Sequence, residues 1–279
     1  MIDPLVTTTW LAEHLGDPDI RLVDGSWWMP AEKRSGKSEY LEHHIPGAVF
    51  FDIDAIADNS VDLPHMLPMP AAFATAVGEL GLDREAHIIC YDSFGIRAAA
   101  RVWWSLRAMG FPQVSVLDGG LRMWLAEGRR VEGGPSAPKA VSVSAAFDAD
   151  RVRNSQQVMD ALSKGTEQVV DARAAARFRG ETPEPRAGLR SGHMPGAINT
   201  PFDTLLTLDG TLKPAGELTG IFTSAGVDLD RPVITTCGSG VTASVIALAL
   251  ARLGRQAAVY DGSWTEWGGL ADTPVVTGP

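Results

Sequence analysis

Val233-Ile-Thr-Thr-Cys237-Gly-Ser-Gly-Val-Thr-Ala-Ser244 changes its period in mid-stretch. Through Thr236 it is β-branched and compact, Cys237 to Gly240 can bend freely, and Ala243 to Leu253 is rich in good helix formers. The pattern predicts strand, tight loop, helix. A cysteine in such a loop lies under the first turn of a helix, where unpaired backbone N–H groups and the positive end of the macrodipole favour a negative group. Cys237 is therefore the candidate nucleophile. The plain alternative is a small buried apolar residue. Two glycines and two hydroxyl residues around the cysteine, at a strand-to-helix turn, favour the nucleophile.

Outward from that loop, the chain repeats itself. Leu22-Val-Asp24 corresponds to Val169-Val-Asp171, His44-Ile-Pro46-Gly47-Ala to His193-Met-Pro195-Gly196-Ala, Ile88 to Ala98 to Val233 to Ala243, and Val116-Leu-Asp118-Gly119 to Val259-Tyr-Asp261-Gly262. Asp24 and Asp171, Pro46 and Pro195, Asp92 and Cys237, and Asp118 and Asp261 are separated by 147, 149, 145 and 143 residues. This is a tandem duplication of whole domains, far from the short periods of solenoids. Each copy alternates short β-branched runs with helical patterns such as Thr9 to Leu15, Ala71 to Leu80 and Ala98 to Met109, which predicts an α/β fold with a mostly parallel sheet and helices on both faces. Gly128 to Ala146, with Gly133-Gly134-Pro135 and Pro138, has no helical period. The expected organisation is an N-terminal domain over 1–133, a linker over 134–149 and a C-terminal domain over 150–279. Asp92 stands where the second copy has Cys237, so the first copy is expected to be catalytically silent at its own loop. Cys90, inside an apolar strand, reads as a packing residue.

Composition narrows the function classes. The 279 residues are 45% hydrophobic and 21% charged, a globular balance, and a net charge of −10 argues against nucleic acid or anionic membrane as partners. No basic leader or long apolar run is present, which predicts a cytoplasmic protein. Two cysteines in unlike surroundings make neither a disulfide framework nor a zinc site. An anionic substrate must then meet a local cluster of arginines.

The duplicated architecture, the His193-Met-Pro195-Gly196-Ala and Asp118-Gly119-Gly turns, and above all Cys237-Gly-Ser-Gly-Val-Thr resemble the tandem-rhodanese sulfurtransferases. Within that family, Cys237-Gly-Ser-Gly-Val is similar to the 3-mercaptopyruvate sulfurtransferases. The likeness runs from Trp10-Leu-Ala-Glu-His14 to Trp267 and includes Phe50-Phe-Asp52-Ile-Asp54, His65-Met-Leu-Pro68, Arg101-Val-Trp-Trp104 and Arg177-Phe-Arg-Gly-Glu-Thr-Pro-Glu-Pro-Arg186. The resemblance implies two rhodanese-like domains and a Cys237 persulfide, formed from a small-molecule donor and discharged to a thiol, thioredoxin or cyanide. It implies no metal and no organic cofactor. Backbone groups of Gly238, Gly240, Val241 and Thr242 would hold the sulfur, Arg177 and Arg186 the donor's carboxylate and ketone, and a Ser239-His65-Asp54 set would move the proton. Isolated arginines more often form a solvated, self-paired surface, and Arg173 to Arg190 holds five, interleaved with Glu181 and Glu184. His65 and Asp54 read equally as a packing residue and a helix cap.

Thiosulfate-using relatives resemble Cys-Arg-Lys-Gly-Val at this loop, and here both places after the cysteine are uncharged, which favours mercaptopyruvate over thiosulfate. A cysteine phosphatase needs an arginine six residues after its cysteine, and Ala243 stands there. A non-catalytic sulfur carrier is the remaining alternative, and a monomer the default state. Among the other residues, His44 and His193 are expected to make one structural hydrogen bond repeated in both copies, and His14 and His87 to be exposed. Trp103, Trp104 and Trp124 are expected in the core, with Trp27 and Trp28 as candidates to line the site.

Overall fold

The computed structural model describes residues 2–279 and divides the chain into two compact units. The first comprises the residues up to Asp58, Leu67–Asp148 and the short segment Leu206–Leu212; the second comprises Asn59–Met66, Ala149–Leu205 and Lys213–Pro279. In the first unit the order is β1 (Leu5–Val6), α1 (Thr8–Glu13), β2 (Ile20–Asp24), α2 (Gly36–Glu42), β3 (Val49–Phe50), α3 (Pro70–Glu79), β4 (His87–Tyr91), α4 (Ala98–Ala108), β5 (Val114–Leu117) and α5 (Gly120–Ala126). The second repeats it as β6 (Val152–Arg153), α6 (Ser155–Lys164), β7 (Gln168–Asp171), α7 (Ala175–Phe178), β8 (Ile198–Asn199), α8 (Ala215–Ser224), β9 (Val233–Thr236), α9 (Ala243–Arg252), β10 (Ala257–Tyr260) and α10 (Ser263–Trp267).

Each unit carries a five-stranded, wholly parallel sheet, β1-β5-β4-β2-β3 in one and β6-β10-β9-β7-β8 in the other. Side chains alternate across the strands. Ile89 and Tyr91 therefore join Leu11 of α1, Tyr40 of α2 and Leu121 and Trp124 of α5 on one face. Ile88 and Cys90 turn to the other, where α4 packs on β4 and β5. In the second unit Val158, Ala161, Trp264 and Trp267 from α6 and α10 cover Val169, Ile234 and Tyr260. The opposite face receives α9. Because strands buried on both faces must be largely apolar, β9 and β10, and β4 after His87, read as continuous apolar or β-branched runs. Among the described residues no helix is long and apolar enough to cross a membrane.

One feature goes beyond the sequence pattern. Residues 128–148 are an ordered strap on the first unit: Val141 N–H donates to Gly78 O, Ala146 N–H to Met109 O and Asp148 N–H to Ala108 O. A Cβ on Gly78 would lie 2.5 Å from Val141 O, so that glycine, inside α3, is what lets the strap approach. The repeated histidines make the repeated contact. His44 Nδ1 bonds Tyr40 O at 2.7 Å with its ring stacked on Tyr40, and His193 Nδ1 bonds Phe178 O at 2.9 Å with its ring stacked on Phe178. His14 and His87, by contrast, are half-buried and not exposed. His14 stacks on Trp10 at 4.3 Å, His87 bonds Ser115 Oγ at 2.9 Å, and burial holds the His87 pKa below its usual value. Trp103, Trp104 and Trp124 are core residues, as is Cys90, whose thiol burial pushes far up and out of any nucleophilic role.

Candidate active site

The loop from Cys237 to Thr242 joins β9 to α9. It is fixed from below by the turn that starts α10. Cys237 N–H donates to Ser263 Oγ at 3.3 Å, Trp264 N–H donates to Cys237 O at 2.9 Å, and Thr265 sends both its N–H and its hydroxyl to Gly238 O at 2.9 and 2.6 Å. Ser263 sits at φ 50°, a left-handed conformation that its duplicate, Gly120 at φ 55°, adopts without a Cβ. The serine is strained in return for the hydroxyl that holds the cysteine's backbone. Gly240 turns the loop at φ 78°, and Ser244 Oγ closes onto its carbonyl at 2.9 Å. Cys237, Ser239, Gly240 and Val241 are buried, while Gly238 and Thr242 are half-buried. Among the described residues, the N–H groups of Gly238 through Ala243 have no protein acceptor, and the helical bonding begins with Ser244 N–H to Val241 O.

The first unit shows what such a loop is shaped to hold. There Asp92 takes the place of Cys237, and its carboxylate accepts four N–H groups: Phe94 at 2.9 Å and Gly95 at 2.8 Å on Oδ1, Arg97 at 2.9 Å and Ala99 at 2.7 Å on Oδ2. Those residues are the duplicates of Ser239, Gly240, Thr242 and Ser244. A strand-loop-helix turn with converging N–H groups is a cradle for an anion. In the first unit the chain fills it with its own carboxylate. In the second the residue at its mouth is a cysteine.

The five arginines between Arg173 and Arg190 divide into distinct uses. Arg179 pairs with Glu181 on the surface. Arg190 donates to the carbonyls of Trp267, Gly268, Leu270 and Thr273 and ties its loop to the C-terminal segment. Arg173 is buried with Asp171 at 2.7 Å and Glu184 at 2.8 Å. Burial works against its charge, and the two carboxylates outweigh that and raise its pKa. Arg177, one quarter exposed, bonds the other oxygen of Glu184 at 2.5 Å and lies over the cysteine loop, because a Cβ on Gly238 would be only 3.2 Å from its Nη2. Arg186 is half-buried on the same loop as Glu184. The sequence singled out Arg177 and Arg186 but missed Glu184, Arg173 and the Ser263-Thr265 turn. The signal was available in the duplicate, where Ser26, Gly120 and Arg122 stand in place of Arg173, Ser263 and Thr265.

Of the three residues expected to move a proton, Ser239 is buried in the loop itself, and His65 is buried in the Asn59–Met66 segment that belongs to the same unit. His65 is held at φ 63°, a conformation that costs a non-glycine residue about 1 kcal/mol or more and is concentrated at functional sites. Asp54 belongs to the first unit, where it is exposed and accepts the Trp27 indole N–H at 2.8 Å. Trp28 donates its indole N–H to Glu39 at 3.0 Å under the Arg34 guanidinium.

Both halves match the model of the rhodanese-like domain, over residues 7–127 and 154–270. The chain belongs to the rhodanese family. As a two-domain rhodanese it is 47% identical, over 97% of its length and 96% of the relative's, to a 3-mercaptopyruvate sulfurtransferase of Escherichia coli. It is 44% identical, over 94% and 91%, to a thiosulfate sulfurtransferase of Bos taurus. The crystal structure of the 3-mercaptopyruvate sulfotransferase SseA from Escherichia coli superposes with a TM-score of 0.87 at 44% identity, covering 94% of this chain and 99% of that one. Apart from the segments Asn59–Met66 and Leu206–Leu212, the two matched domains fall one in each compact unit, and the loop with Cys237 lies in the second.

Proposed function

We propose that the protein is a sulfurtransferase that takes sulfur from 3-mercaptopyruvate, carries it as a Cys237 persulfide and passes it to a thiol, thioredoxin or cyanide. The observation that carries this reading is the Cys237 loop, whose duplicate already holds an anion on four N–H groups. Its likeness to relatives named for both mercaptopyruvate and thiosulfate agrees with the class.

The Cys237 thiolate attacks the donor's sulfur. The S–S bond forms as the C–S bond breaks, and the electron pair leaves on carbon as the enolate of pyruvate. Arg177 and Arg186 hold the donor's carboxylate and ketone, the guanidinium fork matching two oxygens. The enolate takes a proton at carbon, and the loop N–H groups of Gly238, Gly240, Val241 and Thr242 receive the charge left on the outer sulfur. An acceptor thiol then attacks that sulfur and restores the Cys237 thiolate. No metal or organic cofactor enters either step, and the protein acts as a cytoplasmic monomer.

Thiosulfate would leave as sulfite, a compact dianion, and Gly238 and Ser239 supply no charge to it. Steady-state transfer from each donor to one thiol acceptor should therefore favour mercaptopyruvate by at least about tenfold in kcat/KM, the worth of one charge-assisted contact. A preference for thiosulfate would refute the donor and leave the persulfide standing.

Protonating carbon is needed with mercaptopyruvate and not with thiosulfate. If Ser239, oriented by His65, delivers that proton, Ser239→Ala and His65→Ala should each lower kcat with mercaptopyruvate by about 10²-fold and barely change the slower thiosulfate reaction. An equal fall with both donors would make these residues structural.

A further inference from the structure

The catalytic loop is served by an arm of four alternating charges that the first unit does not repeat. Asp171, at the end of β7, takes Arg173 Nη2 at 2.7 Å, Arg173 Nη1 gives 2.8 Å to Glu184 Oε1, and Arg177 donates to Glu184 Oε2 from Nη2 at 2.5 Å and reaches the shared Oε1 with Nε at 3.4 Å. Arg173 also donates to Gly192 O at 2.9 Å, and its guanidinium lies 4.1 Å from the Trp264 ring. The side chains of Asp171, Arg173 and Glu184 are 1 to 2% exposed, against 26% for Arg177.

The duplicated unit is an internal control. It keeps the same parallel sheet and the same aspartate, Asp24, yet has Ser26 for Arg173 and Leu121 for Trp264. Both parts of the arm are lost together, in the copy that has no cysteine. Buried ion pairs are also poor stabilisers, since desolvation offsets most of their attraction. Neutralising Asp171 accounts for the inner pair with Arg173, and leaves the outer Glu184–Arg177 end, which reaches the cysteine loop, without a structural purpose.

We infer that Arg173 is a positioning residue for Arg177. By sharing Glu184 Oε1, which also takes Arg177 Nε at 3.4 Å, Arg173 weakens the hold of Glu184 on Arg177 and so leaves charge on the guanidinium over Gly238 for an anionic donor. The inference rests on the reading of Arg177 as the donor-carboxylate site.

The test separates the two. Cys237 is alkylated with iodoacetate, which carries a carboxylate, and with iodoacetamide, its neutral counterpart, and the ratio of second-order rate constants is compared across variants. Arg177→Gln should lower the iodoacetate-to-iodoacetamide ratio about tenfold. Arg173→Gln should lower it by a similar factor, and the double variant no further than either single one. Asp171→Asn/Arg173→Gln leaves no uncompensated charge on Asp171 and should behave as Arg173→Gln. In turnover, Arg173→Gln should raise KM for mercaptopyruvate about tenfold with kcat changed much less. Equal slowing of both reagents, or factors that multiply in the double variant, would overturn the arm. An unchanged ratio in Arg177→Gln itself would instead remove Arg177 from the donor site.

Discussion

Cys237→Ser is expected to abolish turnover with every donor, by at least about 10⁴-fold in kcat, while leaving the loop folded. The fold survives because the contacts that set the loop belong to the backbone: Ser263 Oγ to Cys237 N–H, Cys237 O to Trp264 N–H, and Gly238 O to Thr265. A serine oxygen fits the same space. It fails chemically for two reasons. A hydroxyl is a far poorer nucleophile than a thiol at neutral pH, and the intermediate it would form holds an O–S bond in place of the S–S bond that an acceptor thiol can exchange. Mass spectrometry reads the intermediate directly. Wild-type protein given mercaptopyruvate without acceptor should gain the mass of one sulfur atom, on the peptide holding Cys237 and not on that holding Cys90, whose thiol is fully buried. The serine variant should gain nothing. Residual turnover, or a sulfur carried elsewhere, would move the reaction off Cys237 and undo the mechanism.

How much of this was written in the sequence differs from element to element. β9, its loop and α9 were legible because a β-branched run, flexible residues and a helix-forming run meet at Cys237, and local propensity agrees with the final packing. The duplication was legible because order and spacing survive even where residues differ. The strap over 128–148 was not, since it has no period and is held by backbone bonds to Gly78, Ala108 and Met109, partners far away in sequence. The segments Asn59–Met66 and Leu206–Leu212 joined units other than those their position suggests, which only three-dimensional packing decides. In the site, Cys237 and Arg177 were readable as residue types. That Gly238 leaves room for the Arg177 guanidinium, and that Glu184 is shared between two arginines, depend on side-chain directions that a loop of irregular backbone does not encode in its spacing.

The same duplication makes a second large effect expected, on stability and not on activity, at Asp24. Its partner in the second unit, Asp171, is neutralised by Arg173, whereas Asp24 is 1% exposed with Ser26 in the arginine's place. Its Oδ1 accepts Ser26 N–H at 2.8 Å, and its Oδ2 has no hydrogen-bond partner among the described residues. Burial raises its pKa to about 7; the hydrogen bonds from Ser26 and, more weakly, the Tyr91 hydroxyl oppose the shift, and the Asp92 charge adds to it. The folded protein thus keeps a proton on Asp24 up to about pH 7, while the unfolded chain releases it near 3.8. Between those values the folded state binds more protons, so stability falls as pH rises, by about 1.4 kcal/mol per pH unit and about 4 kcal/mol in all, and is level again above about pH 8. Asp24→Asn keeps an acceptor for Ser26 N–H and cannot ionise. It should match wild type below about pH 4 and exceed it by about 4 kcal/mol at pH 8. Hydrogen exchange of the amides of β4, which pairs with β2 along its length, reads the first unit separately from the second. Wild-type protection there should drop between pH 5 and 8, after correction for the intrinsic exchange rate, and the variant's should not. Parallel profiles for the two proteins would mean that Asp24 ionises without cost, through a partner that the serine-for-arginine exchange did not take away.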